Sequence, residues 1–338
     1  MTTIIIRSVR ILAAVVFVLG CFQAVYSAEP LLVVNGAANE SIAPMWVGIE
    51  KGFFKKYSLD VRMLQFRSGP LLTATLASGN VQVAWTAQST ALTAAAWGMN
   101  LSSIASPINR IARNLMVRKE IKSLEELRGR TFGVQSIGGG FWLYTMILLE
   151  HLRLDPEKYQ LKMRVIGDTA TITQALISNN VDAAVLPYSF SEIAKRAGFH
   201  SLADAAEFKG PFQLTGLYAL KDFVALHPEI VTRLTQGMIE AVVYIHDPRN
   251  SREVTEVLRK NLRFSRAEDA EASYKVLRII ATLDVAPNLE AWSTVQRIVS
   301  RLNPKVGQVD LREVLDGRIV RTLEESRFLP EMRRKLTD

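Results

Sequence analysis

From Leu31 onward, short apolar runs alternate with segments whose apolar positions recur every three or four residues. Runs of the first kind predict buried strands, and the second kind predict helices with one inward face. Leu31 to Asn35 reads as a strand, and Ser41 to Lys51 as a helix ended by Gly52. Leu59 to Phe66 is a second strand; Ser68-Gly69-Pro70 then opens a helix with proline in its first turn, closed by Gly79. Val81 to Trp85 is a third strand, followed by an alanine-rich helix from Ser89 to Trp97 that stops at Gly98. Strand, helix, strand, helix is the mark of an α/β fold with a mostly parallel sheet.

The same rhythm restarts after Arg118. Ser123 to Glu126 is a capping box on a short helix, Thr131 to Val134 a strand, and Phe141 to Leu152 a helix. Leu161 to Ile166 and Val181 to Leu186 are further strands, with a helix from Thr171 to Ser178 between them and Pro187 stopping the second. Beyond a strand at Leu214 to Leu220 the pattern is helical. His227-Pro228 opens a long helix to Ile245, and others cover Arg252 to Leu262, Ala267 to Leu283, Glu290 to Leu302 and Leu311 to Leu315. Val231, Leu234, Met238 and Val242 form a core-facing stripe on the long helix. Two lobes of similar design are expected, with residues 28–118 in the first, 119–213 in the second, and 214–338 returning to the first with a helical tail.

Between the Thr131 strand and the Phe141 helix stand Ser136 and the glycines Gly138, Gly139 and Gly140. Glycines at a strand-to-helix turn let a ligand approach the backbone, and the first N–H groups of the helix have no intrahelical partners. Those donors, with the positive end of the helix dipole, suit an anion.

Residues 1–27 read as an export signal. Arg7 and Arg10 form a basic start, Ile11 to Phe22 an apolar core too short to span a membrane, and Val25 and Ser27 the small residues before cleavage. The one cysteine, Cys21, lies in this segment, and the Val-Leu-Gly before it is a partial lipoprotein box, so lipid anchoring through Cys21 is the alternative to a soluble periplasmic chain. Cleavage at Ser27 would leave about 310 residues without cysteine, which excludes disulfides and thiol chemistry. Loss of Arg7 and Arg10 takes the formal net charge from +8 to +6, and the basic residues are interspersed with acids, which argues against nucleic acid as a partner.

Several segments together carry a family resemblance. They are Gly48 to Val61 (Gly-Ile-Glu-Lys-Gly-Phe-Phe-Lys-Lys-Tyr-Ser-Leu-Asp-Val), Phe66 to Pro70, Leu76 to Ala84, Leu127 to Val134 and Val181 to Pro187. The chain resembles the periplasmic substrate-binding proteins of ABC transporters of the nitrate, sulfonate and taurine type, whose wider group includes the NMT1/THI5-like pyrimidine-precursor proteins. The resemblance spans roughly Leu31 to Tyr244. It implies the two-lobed type II periplasmic-binding-protein fold, with crossings near Met116 and Gln213 to Gly216, and a ligand held in the cleft. It also implies a small-molecule solute, hinge closure, and docking of a monomer on an inner-membrane permease.

Ligands of open α/β sheets bind where strands end and helices begin. That rule selects Asn39, Glu40 and Ser41 after the first strand, Arg67 and Ser68 after the second, and Trp85, Thr86 and Gln88 after the third. In the second lobe it selects Ser136, Gly138 and Gly139, then Asp168 and Thr169, then Pro187 and Tyr188. Arg67 is the leading candidate for a salt bridge to an anion. Helix capping is the commoner role for residues such as Ser41 and Thr169, and Trp85 and Tyr188 could equally be core or rim aromatics. Glu40 and Asp168 would suit an amine or hydroxyl, so an anion and a heterocycle both stay open.

Catalysis is disfavoured. The four histidines, His151, His200, His227 and His246, are far apart and in no zinc spacing, so no metal is expected. There is no G-x-S-x-G elbow, P-loop or dinucleotide fingerprint, so no cofactor is expected either. The cysteine-rich motif of the fungal pyrimidine-precursor synthases is absent.

Overall fold

The computed structural model describes residues 30–36, 39–66, 69–208 and 210–337. The leader with Cys21, and the candidates Arg67 and Ser68, lie outside the described residues. The chain opens with β1 (Pro30–Asn35), α1 (Ala43–Glu50), α2 (Phe53–Lys56), β2 (Asp60–Gln65), α3 (Gly69–Ala77), β3 (Val83–Ala87), α4 (Gln88–Ala96) and β4 (Leu101–Ile108). It continues with β5 (Arg113–Val117), β6 (Thr131–Val134), α5 (Gly140–His151), β7 (Lys162–Val165), α6 (Thr169–Ile177), β8 (Ala183–Pro187), α7 (Tyr188–Arg196) and β9 (His200–Asp204). After β10 (Thr215–Leu220) come α8 (Lys221–Leu226), α9 (Pro228–His246), α10 (Ser251–Leu262), α11 (Ala267–Ile280), α12 (Leu289–Ser300), α13 (Leu311–Val314), α14 (Arg318–Glu325) and α15 (Phe328–Thr337).

Two five-stranded sheets form two α/β lobes, in the orders β2-β1-β3-β10-β4 and β7-β6-β8-β5-β9. Each has three parallel strands joined by crossover helices, as parallel pairing requires. Each also admits one antiparallel strand that arrives from the other lobe: β10 between β3 and β4, and β5 between β8 and β9. The sheets are therefore mixed. The parallel strands β1, β3 and β6 end at the cleft, whereas β5 and β10 start there and run away from it. That reversal places the first residues of β5 and β10, Arg113 and Thr215, at the junction of the lobes.

The chain crosses at residues 109–112 and again between β9 and β10. The first crossing precedes Met116, which lies inside β5 and is fully buried. The helices from α9 onward cover the first lobe, and two also reach the second. Arg297 of α12 makes a two-pronged ion pair with Glu150 of α5 (2.6 and 2.7 Å), and Arg196 of α7 pairs with Asp269 of α11.

In the Gly48 to Val61 segment, Gly48 is required by packing. Phe54 of α2 is 1% exposed, and its ring fills the space where Gly48 of α1 and Gly237 of α9 lack side chains. A Cβ at either glycine would stand 2.5 Å from that ring, far inside contact distance. The stripe of Val231, Leu234, Met238 and Val242 is buried as its period predicts.

Candidate ligand site between the lobes

A small cavity of about 30 Å³ lies where the lobes meet. From the first lobe it is lined by Gly36, Asn39, Ser41, Ile42, Trp85, Thr86, Ala87, Thr90 and Thr215, and from the second by Arg113, Gln135, Ser136, Gly139, Gly140, Phe141 and Tyr144. Asn39 Oδ1 accepts from Ser41 N at 3.0 Å, fixing the turn after β1, and Trp85 Nε1 donates to Ser41 O at 3.1 Å. Across the cleft, Gln135 Nε2 donates to Gly36 O at 3.0 Å. Glu40 accepts from Ser189 at the start of α7 and from Ser273 Oγ of α11 at 3.2 Å.

The glycine turn takes the form that its residues require. Gly138 has φ +75°, in the left-handed region, and a Cβ at Gly139 would collide with Ser136 Oγ at 2.3 Å. Helix α5 begins at Gly140, and the residues of its first turn edge the cavity. Here the lobes touch: a Cβ on Gly140 would lie 2.8 Å from the Cβ of Ala87 at the end of β3.

The dominant charge is Arg113, a residue that strand-end reasoning passed over. Its side chain is buried, with the guanidinium 3.9 Å from the ring centre of Tyr144 and 5.3 Å from that of Phe141. Nη1 donates to Val185 O at 3.2 Å, and the Tyr144 hydroxyl is a further partner. Among the described residues no carboxylate lies within ion-pair distance of it, although the Glu40 carboxylate acts on it through its field. Burial pushes the Arg113 pKa down from its ordinary value, the mark of a cation stripped of water; arginine nonetheless keeps its proton near neutral pH. Burial also raises the Glu40 carboxyl, against the lowering effect of the Ser189 hydroxyl, and raises the Tyr144 phenol.

Of the residues selected from sequence, the fold brings Asn39, Ser41, Trp85, Thr86, Ser136 and Gly139 to the cavity. Gly138 lines a neighbouring apolar groove instead. Gln88 is fully buried: with its amide oriented to satisfy both ends, it donates to Gln213 O and accepts from Trp292 Nε1 at 2.8 Å, so its groups are used inside the first lobe. Asp168 caps α6 by accepting from Thr171 N at 2.9 Å and Thr171 Oγ1 at 2.8 Å. Thr169, Pro187 and Tyr188 are not among the lining residues, and the Tyr188 hydroxyl donates to Asp204 within the second lobe.

The family model described as NMT1/THI5 like matches residues 39–251, more than half of the chain. The chain belongs to the NMT1/THI5-like family. The matched region contains both sheets apart from β1, and all of the cavity-lining residues except Gly36. Similarity extends to the Bacillus subtilis (strain 168) protein YtlA, 22% identical over 77% of this chain and 79% of that one. Among solved structures, the periplasmic aliphatic sulphonate binding protein SsuA from Escherichia coli superposes with a TM-score of 0.69 at 19% identity, covering 86% of this chain and 98% of its own. The periplasmic nitrate-binding protein NrtA from Synechocystis PCC 6803 gives 0.68 at 13% identity, with 89% of each chain covered. This NMT1/THI5-like chain therefore has the two-lobed periplasmic-binding-protein fold.

Proposed function

We propose that the protein is an extracytoplasmic receptor that captures a small organic anion between its lobes and delivers it to an ABC permease. The observation that carries this reading is Arg113. A buried guanidinium at the cleft, stacked on Tyr144 and without an ion-pair partner among the described residues, gains most from an anion that supplies the missing charge. Asn39, Ser41, Thr86 and Ser136 add neutral polar groups around it, and the glycine turn adds backbone donors. The described lining residues include no histidine, cysteine or carboxylate, which favours capture over conversion. The names of the solved neighbours, sulphonate and nitrate binders, point to the same ligand chemistry.

The test is thermal shift and calorimetry against nitrate, taurine, alkanesulfonates and carboxylates. A ligand at a hundred times its dissociation constant should stabilise the protein by about 2.7 kcal/mol. Arg113→Met should abolish that shift. An undiminished shift in the variant, or turnover of any bound compound, would sink the proposal.

A further inference from the structure

We infer that the receptor captures its anion together with a proton, which Glu40 holds while the lobes are shut. The inference rests on the anion-receptor reading above. Glu40 opens the one-turn helix Glu40–Ile42 of the first lobe and is 1% exposed. Three pieces of the molecule meet at its carboxyl. Ser189, at the start of α7, donates to Oε1 from the second lobe, and Ser273 Oγ of α11 donates to the same oxygen at 3.2 Å. Oε2 is left to carry a proton. Among the described residues no cation lies within ion-pair distance of this carboxyl.

A carboxylate stripped of water with no cation beside it is costlier than the neutral acid. Burial accordingly raises the Glu40 carboxyl, against the Ser189 hydroxyl, its own backbone N–H, the field of Arg113 and the Ser273 hydroxyl. Parting the lobes would draw Ser189 away and admit water, returning Glu40 towards the ordinary carboxylate range. Closure therefore takes H⁺ from solvent onto the carboxylate, and opening gives it back. The captured anion acts in the same direction. Arg113 is the charge whose field favours the ionised form of Glu40, and an anion bound to Arg113 cancels that field. The anion thus replaces Glu40 as the counter-charge, and the proton leaves Glu40 neutral.

The groups around Glu40 do not compete for this proton. Arg113 of β5 and Tyr144 of α5 keep theirs through neutral pH, Tyr144 being raised by burial. On α7, Tyr188 is bound to Asp204, Glu192 pairs with Lys195, and Arg196 pairs with Asp269 of α11. Tyr274, beside Ser273, lies in the fields of Arg278 and Asp247, and the other charges of α11 are exposed. Helix α1 has no ionisable side chain before Glu50 at its far end.

The probes are nitrate, methanesulfonate and ethanesulfonate, anions that do not themselves titrate. Calorimetry in bis-tris and in Tris, buffers of different ionisation enthalpy without an anionic group, reads the protons taken up per anion. At the pH of steepest change the wild type should take up about one proton, and its affinity should fall by about tenfold per pH unit, levelling off at higher pH. Glu40→Gln holds the neutral form, so its uptake should vanish and its affinity should stay at the wild type's acid limit. Ser189→Ala keeps the acid and removes a lowering hydrogen bond, so uptake should persist and the fall should extend to higher pH. Binding without uptake in the wild type at every pH, or uptake undiminished in Glu40→Gln, overturns the proton link and leaves the anion site standing. If none of the three anions binds, the anion-receptor reading falls with it.

Discussion

Arg113 and Glu40 are buried charges of opposite sign, one on each lobe, and each makes its own prediction. Removing one partner of a desolvated charge pair costs about 2–5 kcal/mol, so Arg113→Met should weaken anion binding by about thirtyfold or more by calorimetry. Arg113→Lys should not restore it, because an ammonium cannot reproduce the planar stack on Tyr144. For Glu40, desolvation raises the folded pKa, so the native state holds its proton to higher pH than the unfolded chain. Its contribution to stability is fully present below the ordinary carboxylate range and is lost as pH climbs through the raised value. Glu40→Gln should therefore leave the melting temperature little changed near pH 4 and raise it relative to wild type at pH 8. A melting difference that runs the other way would remove the buried-acid reading. The sequence makes Arg110 and Arg113 look alike, yet Arg110 is exposed and Arg113 is 5% exposed. The usable signal was that Arg113 stands at the edge of the apolar run Leu115 to Val117, where a charge is either buried or out of place.

At the scale of elements, glycine positions govern how close the pieces come. Alanine at Gly237 would gain about 0.5–1 kcal/mol of helix propensity, but its methyl would press on a ring with no room to move, at about 1–3 kcal/mol. Gly237→Ala should thus lower stability in urea unfolding, and Phe54→Leu in the same chain should return part of the loss, giving a coupling that independent sites would lack. Gly140→Val should hold the lobes apart at Ala87, with weaker ligand binding and a radius of gyration by X-ray scattering that ligand no longer reduces. The parallel strands and their helices were legible because apolar runs and glycine stops repeat. Strand β4 was not: it is buried throughout, yet Ser102, Ser103, Ser106 and Pro107 break its apolar pattern. Tertiary partners satisfy such groups, as when Ser106 Oγ donates to Thr215 O at 2.9 Å. Nor does a buried run reveal its direction, so the antiparallel entry of β5 and β10 was hidden. With it went the rule that puts their first residues in the cleft.

Across the whole molecule, the C-terminal helices do more than cover the first lobe. Glu150 with Arg297 and Arg301, and Arg196 with Asp269, tie α12 and α11 to the second lobe. Asp269 is buried, but Arg196, Glu150 and Arg297 are partly exposed, so each pair has one end in solvent, is worth on the order of 1 kcal/mol and is screened by salt. Raising salt from low to high should loosen the joined lobes and weaken ligand binding several-fold. Glu150→Gln with Asp269→Asn should remove most of that dependence for a ligand series titrated at each salt concentration. The stripes of the tail show which faces are apolar, and nothing in them reports which lobe supplies the opposite charge.

The stacked cation at the head of β5 also bears on fidelity. Lobes that shut on a neutral look-alike would strip Arg113 of water and give it no counter-charge, so closure over such a molecule is disfavoured. A conformational equilibrium can only be shifted by what a ligand prefers in one state over the other, and for the proposed anion receptor that preference would be net charge. The shape offered to a transporter would then certify the cargo's sign before any membrane protein is touched.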